Sequence, residues 1–212
     1  MADFRDAASK SDLPERRRRA TLAGHTGDEE SARTALNDPD AAVRAAAIGA
    51  LARLGRLDTA SLRAALGDPA PEVRRRATEV SAVPAVGEAV VDQLLELLAD
   101  PDALVVETVA ATLGELPARA KVVEALCGIA IDHDEPLCRE SAVAALGALG
   151  DPAGLSAILK ATGDRPAIRR RAVIALAPFE GPEIDAALTR ALEDRDWQVR
   201  QAAEDQLGRE AN

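Results

Sequence analysis

Few residues in this chain are of a type that does chemistry. Two histidines, His25 and His133, and two cysteines, Cys127 and Cys138, stand among 212 residues. No His/Cys grouping has the spacing of a zinc site. No G-x-S-x-G, P-loop or G-x-G-x-x-G pattern occurs, and no Ser/His/Asp set has positional support. No catalytic, cofactor-binding or metal-binding residue is therefore assigned. Arginines cluster at 16–19, 74–76 and 169–171, a pattern that could hold phosphate, but Glu15, Glu72 and Glu79 dilute the first two clusters. The aromatic residues are Phe4, Phe179 and Trp197, so base stacking has no platform. The net charge of -10 also weighs against nucleic acid, because duplex affinity rests largely on neutralising phosphates.

One charge arrangement recurs. Arg44, Arg74, Val106, Arg139, Arg169 and Arg200 follow one another at steps of 30, 32, 33, 30 and 31 residues. Asp38, Asp68, Asp100 and Asp194 each stand six residues earlier. His133 and Gly163 hold that place in the other two copies, with Asp132 and Asp164 adjacent. A catalytic reading would make this a row of acids and bases. Catalysis needs one special site, however, and regular recurrence predicts a structural ladder. Each guanidinium would pair with a turn carboxylate of its own or the next copy. Val106 breaks the ladder and leaves Asp100 to a neighbour's arginine or to its turn. An earlier half-copy, RRRRATLAG at 16–24, places Arg17 at the ladder position.

These positions must sit on helices. The chain is 47% hydrophobic and holds 47 alanines, a composition that suits closely packed helices better than strands. In each copy the second segment, B, opens at a D-P-D-like turn. Asp40, Asp102 and Asp196 are placed to cap it, and Pro71, Pro136 and Pro166 to open it. Val43, Ala47, Leu51 and Leu54 then mark one helical face. The first segments, A, are predicted near 28–37, 57–66, 87–99, 118–131, 152–162 and 182–192. Gly55, Gly150 and Gly181 suit left-handed caps at or near B-helix ends. One helical pair cannot bury both faces, but a stack of pairs can. The expectation is an all-α, right-handed α-solenoid of about six helix pairs plus an N-terminal half-repeat.

The pattern DPDxxVRxxAxxALxxLG resembles a HEAT repeat, and the short period resembles the phycobilisome-lyase-like HEAT subgroup. The likeness covers about residues 13–208. It implies the same Arg/Asp ladder and a concave surface lined by the B helices. HEAT-like hydroxylases hold iron through His-Glu dipeptides; here Thr26 follows His25 and Asp134 follows His133, so that site is missing. His133 reads as a turn residue in place of Asp.

The resemblance makes B-helix columns the candidate binding surface. One residue past the ladder come Arg75, Glu107, Glu140 and Arg170, a charged stripe for a partner protein, joined by Trp197 at the solvent-facing start of the last B helix. Eight residues past the ladder come His25, Ala52, Ala82, Gly114, Gly147, Ala177 and Gly208. That small column is either a trough for a partner segment or the crowding of helix ends. Cys127 and Cys138 lie nearly equidistant from a turn at 132–133. They are expected to face each other, as a redox pair or as two reduced core thiols. The functional expectation is a non-enzymatic interaction scaffold, without cofactor, that binds another protein through its concave B-helix surface. The alternatives are a phycobilin-lyase-like chromophore handler and a nucleic-acid-binding HEAT-like protein. The domain expectation is a flexible tail over 1–12 and one solenoid over 13–212. No apolar run approaches the ~20 residues that span a bilayer, and the N-terminus carries no secretory h-region, so a cytoplasmic monomer with no membrane contact is expected.

Overall fold

The computed structural model describes residues 12–210, apart from the side chains of Pro84, Arg209 and Glu210. Most of the segment read as a flexible tail, 1–11, lies outside the described residues; Asp12 forms the turn before the first helix. The chain groups into two compact units, Met1–Gln93 and Leu94–Asn212.

In the first unit, the first described element is α1 (Leu13–Thr26), the half-repeat. Two pairs follow: α2 (Glu29–Ala35) with α3 (Ala41–Arg53), and α4 (Thr59–Leu66) with α5 (Pro71–Val80). A short α6 (Pro84–Gly87) precedes α7 (Val91–Glu96), inside which the division falls. The B segment of this repeat stops at Val80, because Pro84 disfavours helix at the residue before it. The second unit contains a 3-10 turn (Leu97–Ala99) before α8 (Ala103–Gly114), then α9 (Ala120–Asp132) with α10 (Pro136–Leu149). A 3-10 turn (Pro152–Gly154) leads into α11 (Leu155–Ala161), paired with α12 (Pro166–Ala175); α13 (Pro182–Ala191) pairs with α14 (Trp197–Glu210). No strand occurs among the described residues, and each unit is an all-α stack of repeats.

The caps explain the boundaries. Asp40 accepts from the Ala42 N–H, Asp102 from Leu104 and Val105, and Asp196 from Gln198. Pro71, Pro136 and Pro166 open α5, α10 and α12. The A helices have caps that the sequence reading passed over. Asp28 and Asp58 each accept from the backbone of a serine three residues on. The D-x-x-S spacing was their signal. The Ser61 N–H, Arg33 and the Ser61 hydroxyl together bring the Asp58 carboxyl down to about 2. Gly55 and Gly150 leave their helices at φ 65° and 60°, a conformation that costs glycine little.

Within each unit every B helix lies directly against the next: α1 on α3 on α5, and α8 on α10 on α12 on α14. The A helices α2, α4, α9, α11 and α13 each pack on their own B helix, and the 3-10 turn Leu97–Ala99 packs on α8. The core between them is aliphatic: Ile48, Leu51, Leu62 and Leu66 in the first unit, and Leu113, Leu126, Leu146, Ile158, Leu176 and Ile184 in the second. No aromatic side chain is buried among the described residues.

Candidate functional site

The B-helix turns come first, because they hold the surface in place. Arg44 donates through Nε and Nη2 to both carboxylate oxygens of Asp68, each at 2.8 Å. Arg139 grips Asp164 at 2.8 and 3.0 Å, and Arg169 grips Asp194 at 2.8 and 2.7 Å. The Nη1 groups of Arg44, Arg74, Arg139, Arg169 and Arg200 donate to a carbonyl of their own turn, at 2.7–2.9 Å. Thus each intact rung uses its own repeat's carbonyl and the next repeat's carboxylate. This two-toothed geometry suits guanidinium better than ammonium. Arg200 closes the series, and among the described residues no carboxylate meets it.

Asp38 receives its arginine from the half-repeat, but from Arg16 at 3.0 Å and not from Arg17. A run of four arginines cannot set its own register, and the face that α1 buries decides it. The same one-residue shift moves Gly24, in place of His25, into the small-residue column. There a Cβ would stand 2.7 Å from the Ala50 Cα. Gly114 and Gly147 are equally tight, at 2.8 Å from the Ala145 Cα and 2.7 Å from the Ala175 Cα. These small residues face the next B helix. They serve close helix packing, and the trough reading is set aside for them.

One rung is replaced. Val106 is buried at 1% exposure, and the turn it would have reached carries His133, whose Nδ1 accepts from the Glu135 N–H at 3.1 Å. His133 thereby does the turn work of an aspartate. Asp100 caps its own turn, accepting from the Asp102 N–H at 2.9 Å. In place of the rung, α10 reaches the α8 backbone directly. The Cys138 thiol donates to the Ala103 carbonyl at 3.2 Å and the Ser141 hydroxyl to the Glu107 carbonyl at 2.9 Å. Cys127 turns the other way, with its sulfur 3.9 Å from the Ala153 carbonyl. The expected facing of the two cysteines is therefore corrected: each addresses a different neighbouring repeat, and both are free thiols. Burial raises both thiol pKa values, helped by Asp151 at Cys127 and by Glu135 and Glu107 at Cys138, so neither is activated.

The candidate stripe divides between the units. In the first, half-buried Arg75 lies 3.9 Å from Glu79, which Arg76 also grips at 2.8 Å. Arg75 lines a groove of about 500 Å³ whose floor is Ala45, Ala46 and Gly49 of α3. In the second, Glu107, Glu140 and Arg170 stand on the consecutive helices α8, α10 and α12. The Glu107 carboxylate accepts from the Thr108 hydroxyl at 3.3 Å. Glu140 lies 3.7 Å from Arg171. Arg170 instead shares a groove of about 360 Å³ with Trp197, Gln201 and Asp205. Trp197 is 64% exposed.

Two surface residues escaped the sequence reading. Leu104 and Leu137, at second positions of α8 and α10, are 47% and 46% exposed. Their signal was available: the equivalent residues elsewhere are Ala42, Glu72, Ala167 and Gln198. Among the described residues no group of His, Cys, Asp and Glu is placed to hold a metal ion, and no helix is long and apolar enough to cross a membrane.

Paired helices in register, joined through their turns and stacked by small residues, define a helical tandem-repeat protein. A HEAT-repeat profile matches residues 59–147 and 91–177, a single HEAT repeat matches 32–57, and a PBS lyase HEAT-like repeat matches 168–194. The chain belongs to the HEAT-repeat family. No curated protein matches it. Among solved structures, YibA of E. coli superposes with a TM-score of 0.67 at 19% identity, over 90% of this chain and 74% of that one. A designed armadillo repeat protein in complex with the peptide (KR)4 superposes at 0.61 and 20% identity, over 82% and 96%. Kap95p, from a structure concerned with its binding to RanGDP, superposes at 0.56 and 18%, over 82% and 29%. At these identities the likeness shows the fold alone.

Proposed function

We propose that this protein is a non-enzymatic interaction scaffold that binds another protein on the B-helix surface of its second unit. The observation that carries this reading is Trp197, the one tryptophan of the chain, held in solvent at the rim of a groove beside Arg170. A wet tryptophan costs apolar exposure unless a partner covers it, and tryptophan and arginine are frequent binding anchors. Leu104 and Leu137 expose further apolar surface in the first turns of α8 and α10. Glu107, Glu140 and Arg170 supply charges that set register and choice of partner. Arg75 stands on the first unit, in the groove it shares with Arg17, Arg53 and Arg76. Structural neighbours support a protein or peptide as the partner class: one carries a bound peptide, and another is described by its binding to RanGDP.

The test is affinity capture from the source cell with four folded proteins: wild type, Trp197→Ala, Glu107→Arg with Glu140→Arg, and Glu30→Arg. The first two variants are expected to lose a partner that wild type and Glu30→Arg retain. Circular dichroism checks that each is helical. Loss with Glu30→Arg, together with retention by Trp197→Ala and the double reversal, overturns the assignment of this surface.

A further inference from the structure

The groove of the first unit differs in chemistry from everything around it. Its walls come from α1 and α5, which bring Arg17, Arg75 and Arg76, and Arg53 rises from the end of α3. Against these four guanidiniums stand two carboxylates, Glu72 and Glu79. Glu79 is already shared by Arg75 and Arg76. Among the described residues, no carboxylate lies within salt-bridge distance of Arg17 or Arg53. The groove is thus cationic on a chain whose net charge is -10.

The floor is as informative as the walls. Ala45, Ala46 and Gly49 present no polar side chain and almost no height. Arg76 needs that lack of height: a Cβ on Gly49 would stand 2.5 Å from its Nη2. The guanidinium therefore lies against α3 at Gly49, with its Nη1 donating to Glu79 at 2.8 Å. This pair is an example, inside the groove, of the carboxylate recognition that its other arginines are placed to repeat.

We infer that this groove docks an acidic peptide segment, one rich in Asp and Glu, with Arg17 and Arg53 taking its carboxylates. The inference rests on the reading of the chain as a binding scaffold and supplies the chemistry of a second ligand surface. Charge complementarity selects the occupant. A basic segment meets four guanidiniums. A nucleic acid meets guanidiniums but no aromatic ring on which to stack its bases. The volume, about 500 Å³, lies in the range of pockets that enclose a substantial ligand.

The experiment is fluorescence anisotropy with a labelled octapeptide of alternating Asp and Glu. Controls are a Lys/Arg octapeptide, a Gly/Ser octapeptide, a single-stranded oligonucleotide and inorganic phosphate as competitor. Wild type is expected to bind the acidic peptide alone among the labelled probes. Affinity should fall as salt rises from ~0.1 M to ~1 M, where the screening length shrinks from about 10 Å to about 3 Å. Arg17→Glu with Arg53→Glu is expected to weaken binding at least about tenfold, and Arg17→Gln with Arg53→Gln by less, in the same direction. Glu183→Gln, at an exposed position on the second unit outside both surfaces, should bind as wild type does. The inference is overturned if the acidic peptide does not bind, if either pair of arginine variants binds unchanged, or if the oligonucleotide binds more tightly. It is also overturned if phosphate displaces the peptide completely at equal concentration, which would make this a small-anion site. Failure here, with partner capture still dependent on Trp197, removes only this inference. Acidic-peptide binding without that capture removes only the assignment of the second unit's surface.

Discussion

Two neighbouring steps of the second unit solve one problem differently. Between α10 and α12, Arg139 grips Asp164 in the next turn. Between α8 and α10, that guanidinium is a buried valine, that carboxylate is a histidine, and Cys138 and Ser141 tie the helices through backbone carbonyls. Both steps share the close approach of a glycine to an alanine: Gly114 to Ala145 and Gly147 to Ala175. What both keep is the small-residue contact; what one gives up is the ion pair. Helix packing is therefore the common requirement of the stack, and the ladder is an addition to it. A rung can be lost if both charges leave together, because one charge left alone at a half-buried turn is costly.

The largest expected effect tests the shared feature. Gly114→Leu and Gly147→Leu should each destabilise by about 3 kcal/mol or more, since the clash is with backbone and cannot be relieved by a rotamer change. Urea denaturation of both variants checks this, and a marked difference between them would break the comparison. Next is Val106→Arg, which puts back half a rung at a site 1% exposed. It should cost about 3 kcal/mol, and adding His133→Asp should recover a good part of that loss. No recovery would mean that this step's geometry has drifted beyond restoring.

Smaller effects distinguish the two kinds of tie. Arg169→Ala should cost about 2 kcal/mol and Ser141→Ala about 1 kcal/mol, the ranges for charged and neutral hydrogen bonds. Arg53→Ala, outside both ties, should stay within about 0.5 kcal/mol. Equal losses at all three would reject the ladder as a stabilising device. Acid adds a test. Hydrogen bonds from Arg139 and Arg169 lower the pKa of Asp164 and Asp194 in the folded protein. Their contribution is complete above the unfolded value of about 3.9 and is lost as pH falls through the folded values. Wild type should therefore lose stability below about pH 4 more steeply than Arg139→Ala/Arg169→Ala, as measured by thermal melts across pH.

Much of the molecule could be read from residues alone, and particular residues show why. Asp40, Asp102 and Asp196 cap because their bond is local, closed within two or three residues. Pro71, Pro136 and Pro166 open helices for the same reason. Glycine at 55 and 150 marks helix ends through its own backbone freedom. The aliphatic core follows from periodicity, and the HEAT pattern follows from the repetition of all these features. The candidate surface was less legible. Helical spacing gives no warning at Leu104 and Leu137; the signal was a leucine where other repeats have Ala42, Glu72, Ala167 and Gln198, and the structure adds that both are exposed.

What the tertiary structure alone decided concerns contacts between elements. Four consecutive arginines offer four registers, and packing of α1 chose Arg16 for Asp38 and freed Arg17 for the groove. Cys127 and Cys138 are symmetric about a turn, yet helix rotation aims them at different repeats. The small column reads equally as a trough or as crowding until a distance of 2.7 Å to the Ala175 Cα is known. In each case the sequence settled what happens within about one helical turn, where the covalent chain limits the choices. Which faces meet depends on how two helices pack, and that is a property of the pair.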